Sequence, residues 1–290
     1  MIMRYIELIR TKHYVKNLMI FLPAMLTLQL NNINILKANI TGFLIFSFTA
    51  SAIYIINDIK DAESDRRHPL KCKRPIASGA VPVREAYAVI VVLAVMISAL
   101  WAEAGFRRTY IFWPSVYLAI NLAYSMYLKH IPLLDVLALV SCYVIRLVYG
   151  AELIGAQISS WMYLTMMSAS FFMGFGKRRN EFIQYGTSAR KSLKGYSAGF
   201  LDKAMQTALT SSVIFYSLMC ADSNTAVARA GINLLWTVPV IVVICLRYLM
   251  IIEDGKSDGD PVSVILRDKI LCLLCFGYIL TVGFLLYVHV

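Results

Sequence analysis

Apolar runs of about 20 residues recur along nearly the whole chain, and that feature restricts it to a bundle of membrane-crossing helices. A helix needs about 20 apolar residues to cross the hydrocarbon of a bilayer, and backbone groups in lipid must be satisfied within their own segment. By that measure nine candidate spans fall at roughly 15–31, 38–57, 84–103, 109–128, 131–152, 160–177, 196–221, 230–252 and 268–288. Breakers separate several of them, including Pro132, Gly155, and Gly255 with Gly259 and Pro261. Composition agrees: 59% of the residues are hydrophobic and 16% charged, against about 45–50% and about 25% in soluble domains. The expected fold is an all-α integral membrane protein with nine transmembrane helices, a single polytopic domain over residues 1–290. An amphipathic segment, 1–14, leads into it, and no cleavable leader is expected.

The net charge of +11 brings nucleic acid to mind, but its placement excludes that class. With the N-terminus on the cytoplasmic side, the leading segment and the loops around 58–84, 129–130, 177–195 and 253–267 hold 20 of the 28 Lys and Arg residues. The opposite loops hold four: Lys37, Arg107, Arg108 and Arg229. Such asymmetry is the mark of membrane topology, and the partners it implies are membrane lipids and phosphate-rich substrates. The six cysteines, Cys272 and Cys275 included, lie mostly in apolar runs and read as packing residues. His13, His68, His130 and His289 lack metal-ligand spacing.

The two longest polar loops, 58–83 and 178–195, carry the chemistry. Where the second span ends, the sequence becomes acidic: Asn57, Asp58, Asp61 and Asp65, with Lys60 among them and Arg66, Arg67, Lys71, Lys73 and Arg74 following. On a helix continuing past the membrane edge, Asp58, Asp61 and Asp65 share one face, and Asn57 lies one turn before Asp61. Carboxylates so arranged repel one another unless a cation lies between them, and an all-oxygen set suits Mg2+ with substrate phosphates. The neighbouring guanidiniums and ammoniums suit phosphate oxygens. Together they read as a magnesium–diphosphate site, with Lys60, Arg67, Lys73 and Arg74 assigned to the substrate.

Asn57-Asp58-x-x-Asp61-x-x-x-Asp65 followed by Arg74-Pro75-Ile76 and Gly79 resembles the first signature of the UbiA superfamily of intramembrane prenyltransferases. The resemblance implies a nine-helix bundle with a central cavity facing the cytoplasm, a Mg2+ cofactor, and Asp58, Asp61 and Asp65 as the catalytic acids.

The second loop departs from that pattern. Aromatic prenyltransferases of the superfamily carry a second aspartate-rich motif there, whereas residues 176–196 contain no aspartate and six bases, with Glu181 their only acid. Gly176-Lys177-Arg178-x-x-Glu181 and Arg190-Lys191-Ser192-Leu193-x-x-Tyr196 instead resemble the decaprenyl-phosphate phosphoribosyltransferase branch. Asp135-Val136-Leu137-Ala138, Arg146 with Gly150, and Arg267-Asp268 echo it too. That branch implies transfer of 5-phosphoribosyl from phosphoribosyl diphosphate (PRPP) to a polyprenyl phosphate, in the cytoplasmic (inner) membrane of a bacterium, for cell-envelope polysaccharide precursors. Lys177, Arg178, Glu181, Arg190 and Lys191 then bind substrate, and which bases hold the lipid phosphate and which the sugar 5-phosphate stays open.

Arg146 lies deep in the fifth span, where a cation is costly and usually faces a polar cavity. It contacts phosphate at the base of the site, pairs with an acid such as Glu152, or fixes helix packing. Tyr54, Tyr124, Tyr143 and Tyr149 are equally at home lining a cavity or at a membrane interface, so none is assigned. Two other functions compete: an aromatic prenyltransferase using a prenyl diphosphate, and a cation-linked transporter. The missing aspartates oppose the first. Acids at the membrane edge, rather than on interrupted helices at the midplane, oppose the second.

Overall fold

The computed structural model describes residues 2–67, 71–188, 190–254 and 261–287. His68, His289, Gly255 and Gly259, and the parts of the polar loops at 68–70, 189 and 255–260, lie outside them. Every regular element among the described residues is helical. In chain order the α-helices are α1 (Ile2–Ile9), α2 (Leu22–Leu26), α3 (Ile33–Lys60), α4 (Ala62–Arg66), α5 (Val83–Glu103), α6 (Thr109–Met126) and α7 (Leu134–Ile154). There follow α8 (Ser160–Tyr185), α9 (Ala198–Ala221), α10 (Ala226–Arg229), α11 (Val238–Glu253), α12 (Pro261–Arg267) and α13 (Lys269–Tyr287). Six segments are long and apolar enough to cross a membrane: α3, α5, α7, Ala198–Arg229, Leu234–Glu253 and α13. The chain is thus a multi-pass membrane protein. Helices α6 and α8 have the length, 18 and 26 residues, with more polar sequences.

The expected first span, 15–31, is not one α-helix. Thr11–Phe21 winds as a 3-10 helix and α2 continues it. A 3-10 turn rises about 2.0 Å per residue against about 1.5 Å in an α-helix, so these 16 residues cover about 30 Å. The narrower coil lies against α7 at Gly150, where a Cβ would overlap the Ile20 carbonyl. Gly150→Ala is expected to lower stability by about 1–3 kcal/mol through overpacking, read as a lower melting temperature in detergent.

Burial separates central from peripheral helices. About half of the apolar stretch of α3 and α7 is buried (56% and 50%), against 11% for α5 and 17% for both Leu234–Glu253, which contains α11, and α13. The outward faces of those three helices carry Val91, Val95, Leu246, Leu273 and Ile279, a surface suited to lipid tails. Helices α3 and α7 run antiparallel: Gly42 faces Leu153, and the Phe46 ring lies 5.7 Å from that of Tyr149. Gly155, at φ 66°, ends α7, and Ser159 caps α8 by accepting a hydrogen bond from the Met162 amide. Helix α8 therefore returns alongside α7, with Gly174 against Val136. The C-terminal ends of α3 and α8 and the N-terminal end of α7 consequently share one end of the bundle, which brings the two polar loops together.

Candidate active site

The acidic stripe survives the end of α3 almost unbroken. Asp61 adopts φ −92°, ψ 1° for one residue, yet its amide donates to the Asn57 carbonyl (2.9 Å) and the Asp65 amide donates to the Asp61 carbonyl (2.8 Å). Asp58 and Asp65 are buried, both 3% exposed. Arg74 Nη1 lies between them, 3.1 Å from Asp58 Oδ1 and 2.6 Å from Asp65 Oδ2. The turn that carries Arg74 is fixed by buried Pro75, Ile76 and Ala77, and Ile76 packs with Leu8, Ile55 and Ala62. Asn57 and Asp61 are half-buried, and among the described residues neither side chain has a hydrogen bond or ion pair. Lys60, Arg67 and Lys73 are exposed at the rim.

Among the described residues no three His, Cys, Asp or Glu side chains converge into a ready-made metal cage. The donors still fit a hard divalent ion. All four are oxygens, and one guanidinium nitrogen already bridges Asp58 and Asp65, so a single cation reaches both.

The second constellation is more tightly knit than a loop. Helix α8 continues to Tyr185, so Lys177, Arg178 and Glu181 are helical, with Arg178 and Glu181 paired at i, i+3 (2.7 Å). Arg178 is fully buried. Its Nε lies 2.6 Å from Asp135 Oδ2, and its Nη2 donates to Tyr124 Oη (3.1 Å). Arg190 donates to the same Tyr124 oxygen (2.6 Å) and lies 3.5 Å from Glu181. Asp135 also accepts from Ser192 Oγ (2.9 Å) and Tyr196 Oη (2.7 Å), stapling segment 190–196 to the start of α7. Lys191 is exposed; half-buried Lys177 has no ion pair or hydrogen bond among the described residues. Burial disfavours the charge on Glu181, but Arg178, Arg190 and Lys177 outweigh it and hold the carboxyl below its usual range. Slight desolvation and the cations Lys129, Lys191 and Arg190 likewise depress His130.

Arg146 is buried (4% exposed) without a carboxylate partner among the described residues. Its Nε donates to Asn17 Oδ1 (2.7 Å) and another nitrogen to the Cys142 carbonyl. The Phe46, Tyr117 and Tyr143 rings surround it at 5.0, 5.0 and 5.7 Å. Glu152 is exposed and is not its partner: six residues beyond Arg146, it projects from a different face of α7.

Three participants escaped the sequence reading. Arg10, placed in the leading segment, donates to Asp58 Oδ1 (2.6 Å) from 48 positions away. In sequence Asp135 belongs only to the branch resemblance, and Tyr124 carries no assignment. No local spacing marks any of them, because each acts through a helix distant in sequence. A cavity of about 620 Å3 lies at the opposite end of the bundle, by Gly155, Trp161 and Arg229, and contains no residue of either constellation.

Helices buried around two polar clusters at one end of the bundle make up this multi-pass membrane protein. The UbiA prenyltransferase family profile matches residues 17–264, and the chain belongs to that family. It is 33% identical to the decaprenyl-phosphate phosphoribosyltransferase of Mycobacterium tuberculosis, covering 96% of this chain and 92% of that protein. The enzyme of the same name from Corynebacterium glutamicum is 32% identical over 98% of this chain and 86% of its own length. A UbiA homologue from Archaeoglobus fulgidus, solved with DMAPP and Mg2+, shares the fold: TM-score 0.69, 18% identity, and 98% of each chain covered.

Proposed function

We propose that this protein transfers 5-phosphoribosyl from PRPP to a polyprenyl phosphate and releases diphosphate. The carrying observation is the pairing of an all-oxygen stripe, suited to a metal–diphosphate, with a second cluster that has cations where an aspartate motif would stand. Relatives of that name, 33% identical over nearly the whole chain, support the same reading. The chain would form one polytopic domain of nine spans, in the inner membrane of a bacterium, with the N-terminus and the site facing the cytoplasm.

Mg2+ held by Asn57, Asp58, Asp61 and Asp65 would neutralise the departing diphosphate. Lys60, Arg67, Lys73 and Arg74 draw that diphosphate to the rim and hold it. As the C1–O bond breaks, its electron pair leaves with the diphosphate, and the carboxylates stabilise positive charge developing on the sugar. An oxygen of the lipid phosphate, already anionic, forms the new bond to C1, so no general base is required. Lys177 and Lys191 take the remaining phosphates. Arg178 and Glu181, saturated by protein partners, position Arg190, and Arg146 would lie at the base of the site.

The test supplies detergent-purified protein with radiolabelled PRPP, Mg2+ and a polyprenyl phosphate. Label is expected in the lipid fraction and is expected to vanish on chelation of the metal. Absence of lipid label, with turnover of a prenyl diphosphate and hydroxybenzoate instead, would reverse the assignment.

A further inference from the structure

Arg10 is held against the acidic stripe by a strained piece of backbone. Its φ and ψ of 57° and 46° are left-handed, a conformation that a residue with a Cβ keeps only when its surroundings impose it. Those surroundings are plain. Leu8 is fully buried against the core that includes Ile55 and Ile76, Arg4 donates to the Ala80 carbonyl (2.9 Å) and Tyr5 to Glu85 (2.6 Å). Beyond the bend, Ser51 donates to the Ile9 carbonyl (2.7 Å) and accepts from Tyr14 Oη (2.9 Å). Helix α1 is therefore a docked wall of the site, and the bend at its end aims Arg10 at Asp58. The guanidinium sits 2.6 Å from Asp58 Oδ1 and 4.8 Å from the centre of the Tyr54 ring.

Arg10 and Arg74 together balance the charges of Asp58 and Asp65. A divalent ion arriving at Asp58 meets a carboxylate that is already neutralised, and adds two positive charges that only an anion offsets. We infer that Arg10 is a resident counter-cation: it yields Asp58 to the metal and passes to an oxygen of the diphosphate that the metal brings. The step is an exchange of ion-pair partners, with no covalent change. Its consequence is coupling, so that each of metal and diphosphate binds poorly alone and well together. The inference rests on the metal–diphosphate reading above.

The experiment uses full-length protein in detergent and two probes, Mg2+ alone and inorganic diphosphate at saturating Mg2+, both followed by calorimetry. Arg10→Gln removes the competitor and the donor together. It is expected to tighten Mg2+ about tenfold and to weaken diphosphate about tenfold, the scale of one hydrogen bond to a charged group. Arg10→Gly, which adopts the left-handed bend without strain, is expected to do the same and guards against a folding defect. Unchanged Mg2+ affinity in both variants, or weakening of both ligands, overturns the role of Arg10 alone if the wild type binds Mg2+. A wild type that binds no Mg2+ even with diphosphate present overturns the metal site and, with it, this inference.

Discussion

Asp61→Asn is expected to lower phosphoribosyl transfer by about 100- to 1000-fold, the scale of losing one electrostatic contact to a developing charge, with no change in melting temperature. The basis is the isolation of this side chain: among the described residues Asp61 has neither ion pair nor hydrogen bond, so the substitution changes the proposed metal ligand and breaks no other contact among them. Asp58→Asn should lower transfer equally and lower the melting temperature as well. It takes charge from a carboxylate that is 3% exposed and addressed by both Arg10 and Arg74. Single-turnover transfer and thermal melting of the two variants separate the roles. Full activity in Asp61→Asn would remove Asp61 from the metal site, and equal melting of both variants would mean that Arg10 and Arg74 add nothing to stability.

The apolar runs made most helix ends legible: α5 begins and ends within one residue of its expected 84–103, and α13 begins within one residue of its expected 268. Hydrophobicity fixes such ends because each marks where the chain leaves lipid. The first span failed because apolarity does not distinguish an α-helix from a 3-10 helix, and Gly150 on another helix makes room for the narrower coil. The acidic stripe was readable because its spacing is that of a single helix. Arg10 with Asp58, and Asp135 with Arg178, were not, since a pair between helices depends on packing register. Charge was also misleading in one respect. Polar residues 178–185 read as loop, yet the Arg178–Glu181 pair and the Asp135 contact carry α8 through them.

Asp135→Asn is expected to cost about 3–5 kcal/mol, because it leaves a buried guanidinium without its charge partner. Asp135 and Arg178 are both fully buried and 2.6 Å apart. Glu181 and Tyr124 retain part of the guanidinium's bonding, which puts the expectation at the lower end of that range. Even so, the loss is large against the total stability of about 5–15 kcal/mol typical of a folded protein. The same substitution disturbs the acceptor of Ser192 and Tyr196, so segment 190–196 should loosen and trypsin should cut at Arg190 and Lys191. Replacing both charges, Asp135→Leu with Arg178→Met, should recover most of the melting temperature, since a buried ion pair contributes little net stability beside apolar groups that fill its place. Transfer should not recover, and its KM for PRPP should rise more than its kcat falls, because segment 190–196 would no longer be held to α7 through Ser192 and Tyr196. Recovery of transfer with stability would instead make the pair purely architectural; wild-type melting in Asp135→Asn would show that Glu181 alone satisfies Arg178.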